Sequence, residues 1–183
     1  MKKTKILPVV VLIAVTVLVI SSVAYASPAA SHQDFGARLS GAEEVPPRDT
    51  DATGFAIFQL SEDGTALSYA VTVANIENVF AAHIHCGAKR VNGPVGVTLF
   101  MGTPGGGAIH GTLAKGTITA PDPGNACGWA DLAAVLAAMN SGNTYVNVHT
   151  NDGVAPTNTG PGDFPGGEIR GQITRTLNTV KGK

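Results

Sequence analysis

Histidine is scarce in this chain, with five in 183 residues, and two of the five stand two apart in "AAHIHCG" (81–87). On a β-strand, alternate side chains point to opposite faces, so His83 and His85 share one face while Ala82, Ile84 and Cys86 share the other. "TYVNVHT" (144–150) follows the same rule: Val146 and Val148 form an apolar side, and Tyr145, Asn147 and His149 point away from it. If the two strands are neighbours, three imidazoles converge on the outer face, since directly opposed residues have Cβ atoms ~5 Å apart. Three imidazoles suit one copper or zinc ion and leave a coordination position open. The competing reading is plain: an outer polar face carrying three solvated histidines and no ion.

Neighbouring residues bear on that choice. With a regular strand, the Cys86 sulfur points to the core side, away from His83 and His85. This opposes a joint His/Cys copper centre and favours a disulfide with Cys127, the chain's other cysteine. A thiolate metal ligand is the alternative. In "PGGEIRGQI" (165–173), Glu168, Arg170 and Gln172 share a face opposite Ile169 and Ile173. Glu168 could complete a metal's coordination, and Asn147 or Glu168 could orient an imidazole through its second nitrogen. The favoured reading for Glu168 and Arg170, however, is a solvated edge face carrying an ion pair. His110 is a candidate fourth ligand that reads better as a surface residue, and His32 falls in the N-terminal stretch outside the domain.

Catalytic signatures are otherwise missing. The sequence has no Gly-x-Ser-x-Gly, no His-Glu-x-x-His and no phosphate-binding loop, and "GTPGGG" (102–107) lacks the lysine such a loop requires. The expectation is that the protein is not an enzyme.

The elements that must hold these residues are short apolar segments separated by turns, the pattern of an all-β antiparallel sandwich. Strands are expected at 35–39, 54–60, 67–74, 81–86, 95–100, 109–118, 144–150 and 168–174. One segment differs. In "ADLAAVLAAM" (130–139), Leu132, Val135, Leu136 and Met139 recur at spacings of three and four, which predicts one short amphipathic helix whose stripe is core packing. The stretch 151–167 is a long Gly- and Pro-rich loop, either a binding loop or a mobile one.

The N-terminus sets the compartment. Lys2, Lys3 and Lys5 precede an uncharged, mostly apolar run from Ile6 to Ala24, closed by Ala24-Tyr25-Ala26. That is the form of a signal peptide cleaved after Ala26; a retained anchor is the alternative, because about 20 apolar residues could span a bilayer. Residues 1–26 are thus read as the signal, 27–34 as a flexible N-terminus, 35–175 as one domain and 176–183 as a flexible tail. From Ser27 onward nine Lys and Arg face thirteen acidic residues, a net charge of −4 with no basic patch. This excludes nucleic acid and anionic membranes as natural partners. Export also favours the disulfide.

Six segments in order, "ARLSGAEEVPP" (37–47), "TGFAIFQLSEDGTALSYAVTVANI" (53–76), "AAHIHCG" (81–87), "NGPVGVTLF" (92–100), "GNTYVNVHT" (142–150) and "PGGEIRGQI" (165–173), resemble the CHRD domain family, first described in chordin. The resemblance spans residues 35 to 174. It implies a secreted or periplasmic β-sandwich with Greek-key-like connections, and it makes the strands of His83, His85 and His149 neighbours. The expected function is a binding module at or outside the cell surface, with an extracellular protein or matrix component as partner and a copper or zinc site at the three histidines. A copper-handling protein is the competing class. A redox enzyme like copper–zinc superoxide dismutase is weaker still, because that binuclear site needs six histidines and an aspartate.

Overall fold

The computed structural model describes residues 33–176. The expected signal segment 1–26, most of the expected flexible N-terminus (27–32) and the tail from 177 lie outside the described residues. Asp34 and Thr176 do not: they face each other as paired strand residues.

The chain forms β1 (Asp34–Ser40), a 3-10 turn (Gly41–Glu43), β2 (Thr53–Leu60), β3 (Leu67–Glu77), β4 (Val79–Cys86), β5 (Val95–Met101), β6 (Ala108–Ile118), α1 (Leu132–Asn140), β7 (Thr144–Thr150), β8 (Ile169–Gln172) and β9 (Thr174–Thr176). The pairings are antiparallel, in the order β5-β4-β7-β8-β1-β2-β3-β6, with β9 added beside β1. The sheet curls so that its two ends approach: the Tyr69 hydroxyl on β3 donates to the Leu99 carbonyl on β5 at 2.8 Å. Two layers then enclose one apolar core, the all-β sandwich that the alternation predicts.

Alternation builds that core directly. On β2, Ala56 and Phe58 are fully buried while Phe55 and Ile57 remain about two-fifths exposed; burying a side chain such as Phe58 is worth ~2–3 kcal/mol. The helix matches its expected stripe, with Leu132, Val135 and Met139 buried. It starts two residues later than the periodicity suggests, because the Asp131 carboxylate accepts the Ala134 N–H at 2.9 Å and caps it. The strand expected over 168–174 is broken: β8 pairs with β7 and β1, the chain steps at the buried Ile173, and β9 continues beside β1 alone.

One feature departs from the expected alternation. Every residue of β7 is buried, on both faces. Val146 and Val148 enter the apolar core, as expected. The opposite row of Tyr145, Asn147 and His149, expected to face solvent, is roofed by the segments 87–94 and 151–168 and by Glu44. The long loop is therefore a lid on a polar layer.

Candidate metal centre

Strands β4 and β7 are adjacent, and their register sets Ala81 against His149, His83 against Asn147 and His85 against Tyr145. These side chains share the roofed face. His83, His85 and His149 converge there: ring centroids are 5.0 Å apart for His83–His149 and 5.6 Å for the other two pairs. One ligand nitrogen from each lies within 4.8 Å of the others. Zinc holds nitrogen at about 2.0–2.1 Å, so its ligand nitrogens stand about 3.4 Å apart, and small ring movements bring this set to that spacing.

The hydrogen bonds decide which nitrogens are available. His85 Nδ1 lies 2.9 Å from the Gly93 carbonyl and His149 Nδ1 lies 2.9 Å from the Pro165 carbonyl. A carbonyl only accepts, so in both rings Nδ1 carries the proton and donates it. Nε2 is then an unprotonated lone pair. These two Nε2 atoms and His83 Nδ1 are buried without a hydrogen-bond partner. A buried imidazole nitrogen without a partner loses its hydration and gains nothing in return. Three rings that each carry such an atom and bring a ligand nitrogen within 4.8 Å of one another have the makings of a ligand set.

Electrostatics keep the rings neutral. Burial pushes the pKa of His85 down to about 4, against the Gly93 bond and helped by His83 and Arg170. His149 is also held at about 4, by burial and then His83, with the Pro165 bond opposing. His83 is lowered as well, by burial, while the charge of Asp122 pulls the other way. Neutral imidazole is the form that binds a metal, so little proton competition remains at neutral pH.

Several expectations change here. Asn147 and Glu168 do not orient the imidazoles; the backbone carbonyls of Gly93 and Pro165 do. Glu168 is no part of a ligand set. It is fully buried and accepts from Thr50 Oγ1, Thr150 Oγ1 and the Gly162 N–H at 2.6, 2.6 and 2.9 Å. Arg170 is not solvated either. It is 1 % exposed, lies 3.4 Å over the Tyr145 ring and donates to Asn92 Oδ1, Ala88 O and Val91 O. Tyr145 in turn stacks on His85 at 4.9 Å. This Arg170–Tyr145–His85 stack escapes the sequence reading, although the matching polar rows 145/147/149 and 168/170/172 were its trace. His110 sits on exposed β6, where its Nδ1 accepts the Asn75 N–H at 3.3 Å, outside the ligand group.

Cys86 and Cys127 form the expected disulfide, with Cα atoms 5.8 Å apart. Cys86 is half-buried at the end of β4 and not in the apolar core. Native protein should therefore show no free thiol by alkylation under denaturing conditions. Replacing both cysteines by serine should cost ~2–4 kcal/mol in urea unfolding, as expected for a cross-link of this span. Two alkylated cysteines would contradict the bridge.

A further ionisable group lies beneath the roof. Gly167, at φ 127°, has no room for a Cβ, which would collide with Asn147 and Glu44. Glu44 Oε1 and Asn147 Oδ1 are both buried without partners. Burial raises the Glu44 pKa to about 7, although Arg170 and Arg48 oppose the shift. The fold thus favours the protonated carboxyl. Its contribution to stability is complete below the ordinary value near 4.5 and is lost as pH rises to about 7. The loss should reach roughly 3 kcal/mol. Glu44→Gln should remove it, so urea midpoints of variant and wild type should diverge steadily from pH 4.5 to 7. Parallel curves across that window would show that Glu44 ionises freely.

The model of the CHRD domain family matches residues 35–173. This chain belongs to the CHRD domain family. The match covers all three histidines, both cysteines and the roof. Comparison with curated proteins and with solved structures gives no significant match. Among the described residues of this CHRD domain, no helix is long and apolar enough to cross a membrane.

Proposed function

We propose that this CHRD protein is an exported binding module acting at or outside the cell surface, and that its three-histidine pocket holds one copper or zinc ion. The metal reading rests on one observation above all: three histidines, each with a buried ring nitrogen that has no partner, bring one ligand atom apiece within 4.8 Å of one another. In the fully solvated alternative, His85 and His149 would not be more than nine-tenths buried.

Copper and zinc both accept imidazole nitrogen, and three neutral ligands leave a fourth position for water or a donor from a partner. The ion would supply Lewis acidity at that position, and copper would add one-electron chemistry. The chain's own part is to hold the rings, through Gly93 and Pro165, and to limit water through the roof. Export is supported by the basic, apolar and Ala-x-Ala order of residues 2–26 and by the disulfide. The partner fitting a non-basic surface of this kind is an extracellular protein or matrix component.

The test is metal analysis of the mature protein isolated from its native host. One equivalent of copper or zinc per chain is expected. Metal-free protein that also takes up neither ion on titration would leave the three histidines as buried structural residues.

A further inference from the structure

The roof anchors two of the three imidazoles and leaves the third without an orienting partner. His85 and His149 each give their outer N–H to a backbone carbonyl. Among the described residues, His83 Nδ1 is buried without a hydrogen-bond partner, and no carbonyl anchors this ring as Gly93 and Pro165 anchor the other two. Since Nδ1 is the buried nitrogen without a partner, a metal held there would leave Nε2 as the second nitrogen to be anchored. A metal on Nδ1 fixes the proton on Nε2 and makes that N–H a stronger donor, so the loaded ring needs an acceptor there.

The neighbouring strand brings one. Thr98 on β5 pairs directly with His83, so the two side chains lie beside each other on the same face. Thr98 holds a carboxylate with both of its donors: its N–H reaches Asp122 Oδ1 at 3.1 Å and its hydroxyl reaches Oδ2 at 2.7 Å. Asp122 belongs to the connection between β6 and α1, and its position is fixed at several points. Its own N–H donates to Gly96 O at 2.9 Å. Trp129 covers Gly96, where any Cβ would enter the indole. Cys127 ties the same connection to Cys86, next to His85. The negative charge of Asp122 is felt at His83.

We propose that Asp122 is the positioning carboxylate of the metal centre, accepting the Nε2–H of metal-bound His83 directly or through one water. The inference rests on the three-histidine metal reading. It assigns the three rings two kinds of anchor: carbonyls under the roof for His85 and His149, and a carboxylate at the rim for His83. A carboxylate acceptor raises the ligand's basicity and fixes its orientation, and loss of such a partner costs about 10–100-fold in metal affinity.

The experiment uses mature full-length protein and Zn(II), with affinity read by competition against a chromophoric chelator. Asp122→Asn should weaken binding about 10–100-fold, and Asp122→Glu should recover part of the loss. Zinc-loaded wild type should show a slowly exchanging His83 Nε2–H in long-range nitrogen–proton spectra of the rings. That signal should vanish in Asp122→Asn while the Nδ1–H signals of His85 and His149 persist, a pattern that a general loosening of the fold would not give. Equal zinc affinity in wild type and Asp122→Asn, or an unchanged His83 signal, overturns the inference and leaves the metal reading standing. Wild type that binds no stoichiometric zinc overturns both.

Discussion

Replacing His149 with alanine should abolish the stoichiometric metal site. Its ring is one of the three that converge among the described residues, and a two-imidazole remnant lacks both the ligand number and the closed geometry of a site. The loss should exceed the roughly 100-fold assigned to removal of an outer partner, and His85→Ala and His83→Ala should match it. Thermal unfolding gives the same answer independently. A ligand at about 1,000 times its Kd stabilises the native state by about 4 kcal/mol, which for a domain of this size raises Tm by about 10 °C. Wild type should show that rise with Cu(II) or Zn(II), and each alanine variant should show almost none. Equal shifts in wild type and all three variants would place the ion elsewhere. In metal-free protein, His85→Ala and His149→Ala also remove the donors to the Gly93 and Pro165 carbonyls, so circular dichroism of each variant must show the fold kept before its metal loss is read as loss of a ligand.

Much of this site was legible because strands alternate. His83 and His85 share a face by spacing alone, and His149 falls on the polar side of its own strand by the same rule. What alternation cannot state is whether a polar face is wet. The row Tyr145, Asn147 and His149 reads as solvent-facing because its neighbours Val146 and Val148 so plainly claim the core. Yet all five are buried. The cause lies more than a strand away, in loops whose Gly- and Pro-rich sequences carry no periodic signal. Segment 87–94 brings the carbonyls of Ala88, Val91 and Gly93 over the sheet, and 151–168 brings that of Pro165. Asp122 was illegible for a related reason: it reaches the centre through Thr98, a residue whose spacing marks it only as an outward strand position. The disulfide, by contrast, needed only two cysteines and an oxidising compartment. The family resemblance supplied the remaining link, the adjacency of the two histidine-bearing strands.

The same misplaced face leads to the largest expected effect on stability. Glu168→Ala should cost about 3–5 kcal/mol in urea unfolding, the range for a buried charge network stripped of one member. The carboxylate is fully buried and joins three separate pieces of chain: Thr50 before β2, Thr150 at the end of β7 and the Gly162 N–H in the roof. Alanine leaves the Gly162 N–H and two hydroxyls without their acceptor, and an orphaned buried group costs ~1–3 kcal/mol. Glu168→Gln should be far milder, about 1 kcal/mol. A glutamine oxygen in the place of Oε2 still accepts from Thr150 and Gly162, and its amide N–H can donate to Thr50 Oγ1, because a hydroxyl also accepts. The roof carries the effect to the histidine cluster. Thr150 Oγ1, which donates to Glu168, also accepts the Phe164 N–H at 3.0 Å, one residue before the carbonyl that anchors His149. Glu168→Ala should therefore also shrink the metal-induced rise in Tm, although Glu168 touches no imidazole. If the alanine variant loses less than 1 kcal/mol, the carboxylate is solvated and the roof does not close over it. If stability falls but the metal-induced rise is unchanged, the roof supports the fold without holding His149.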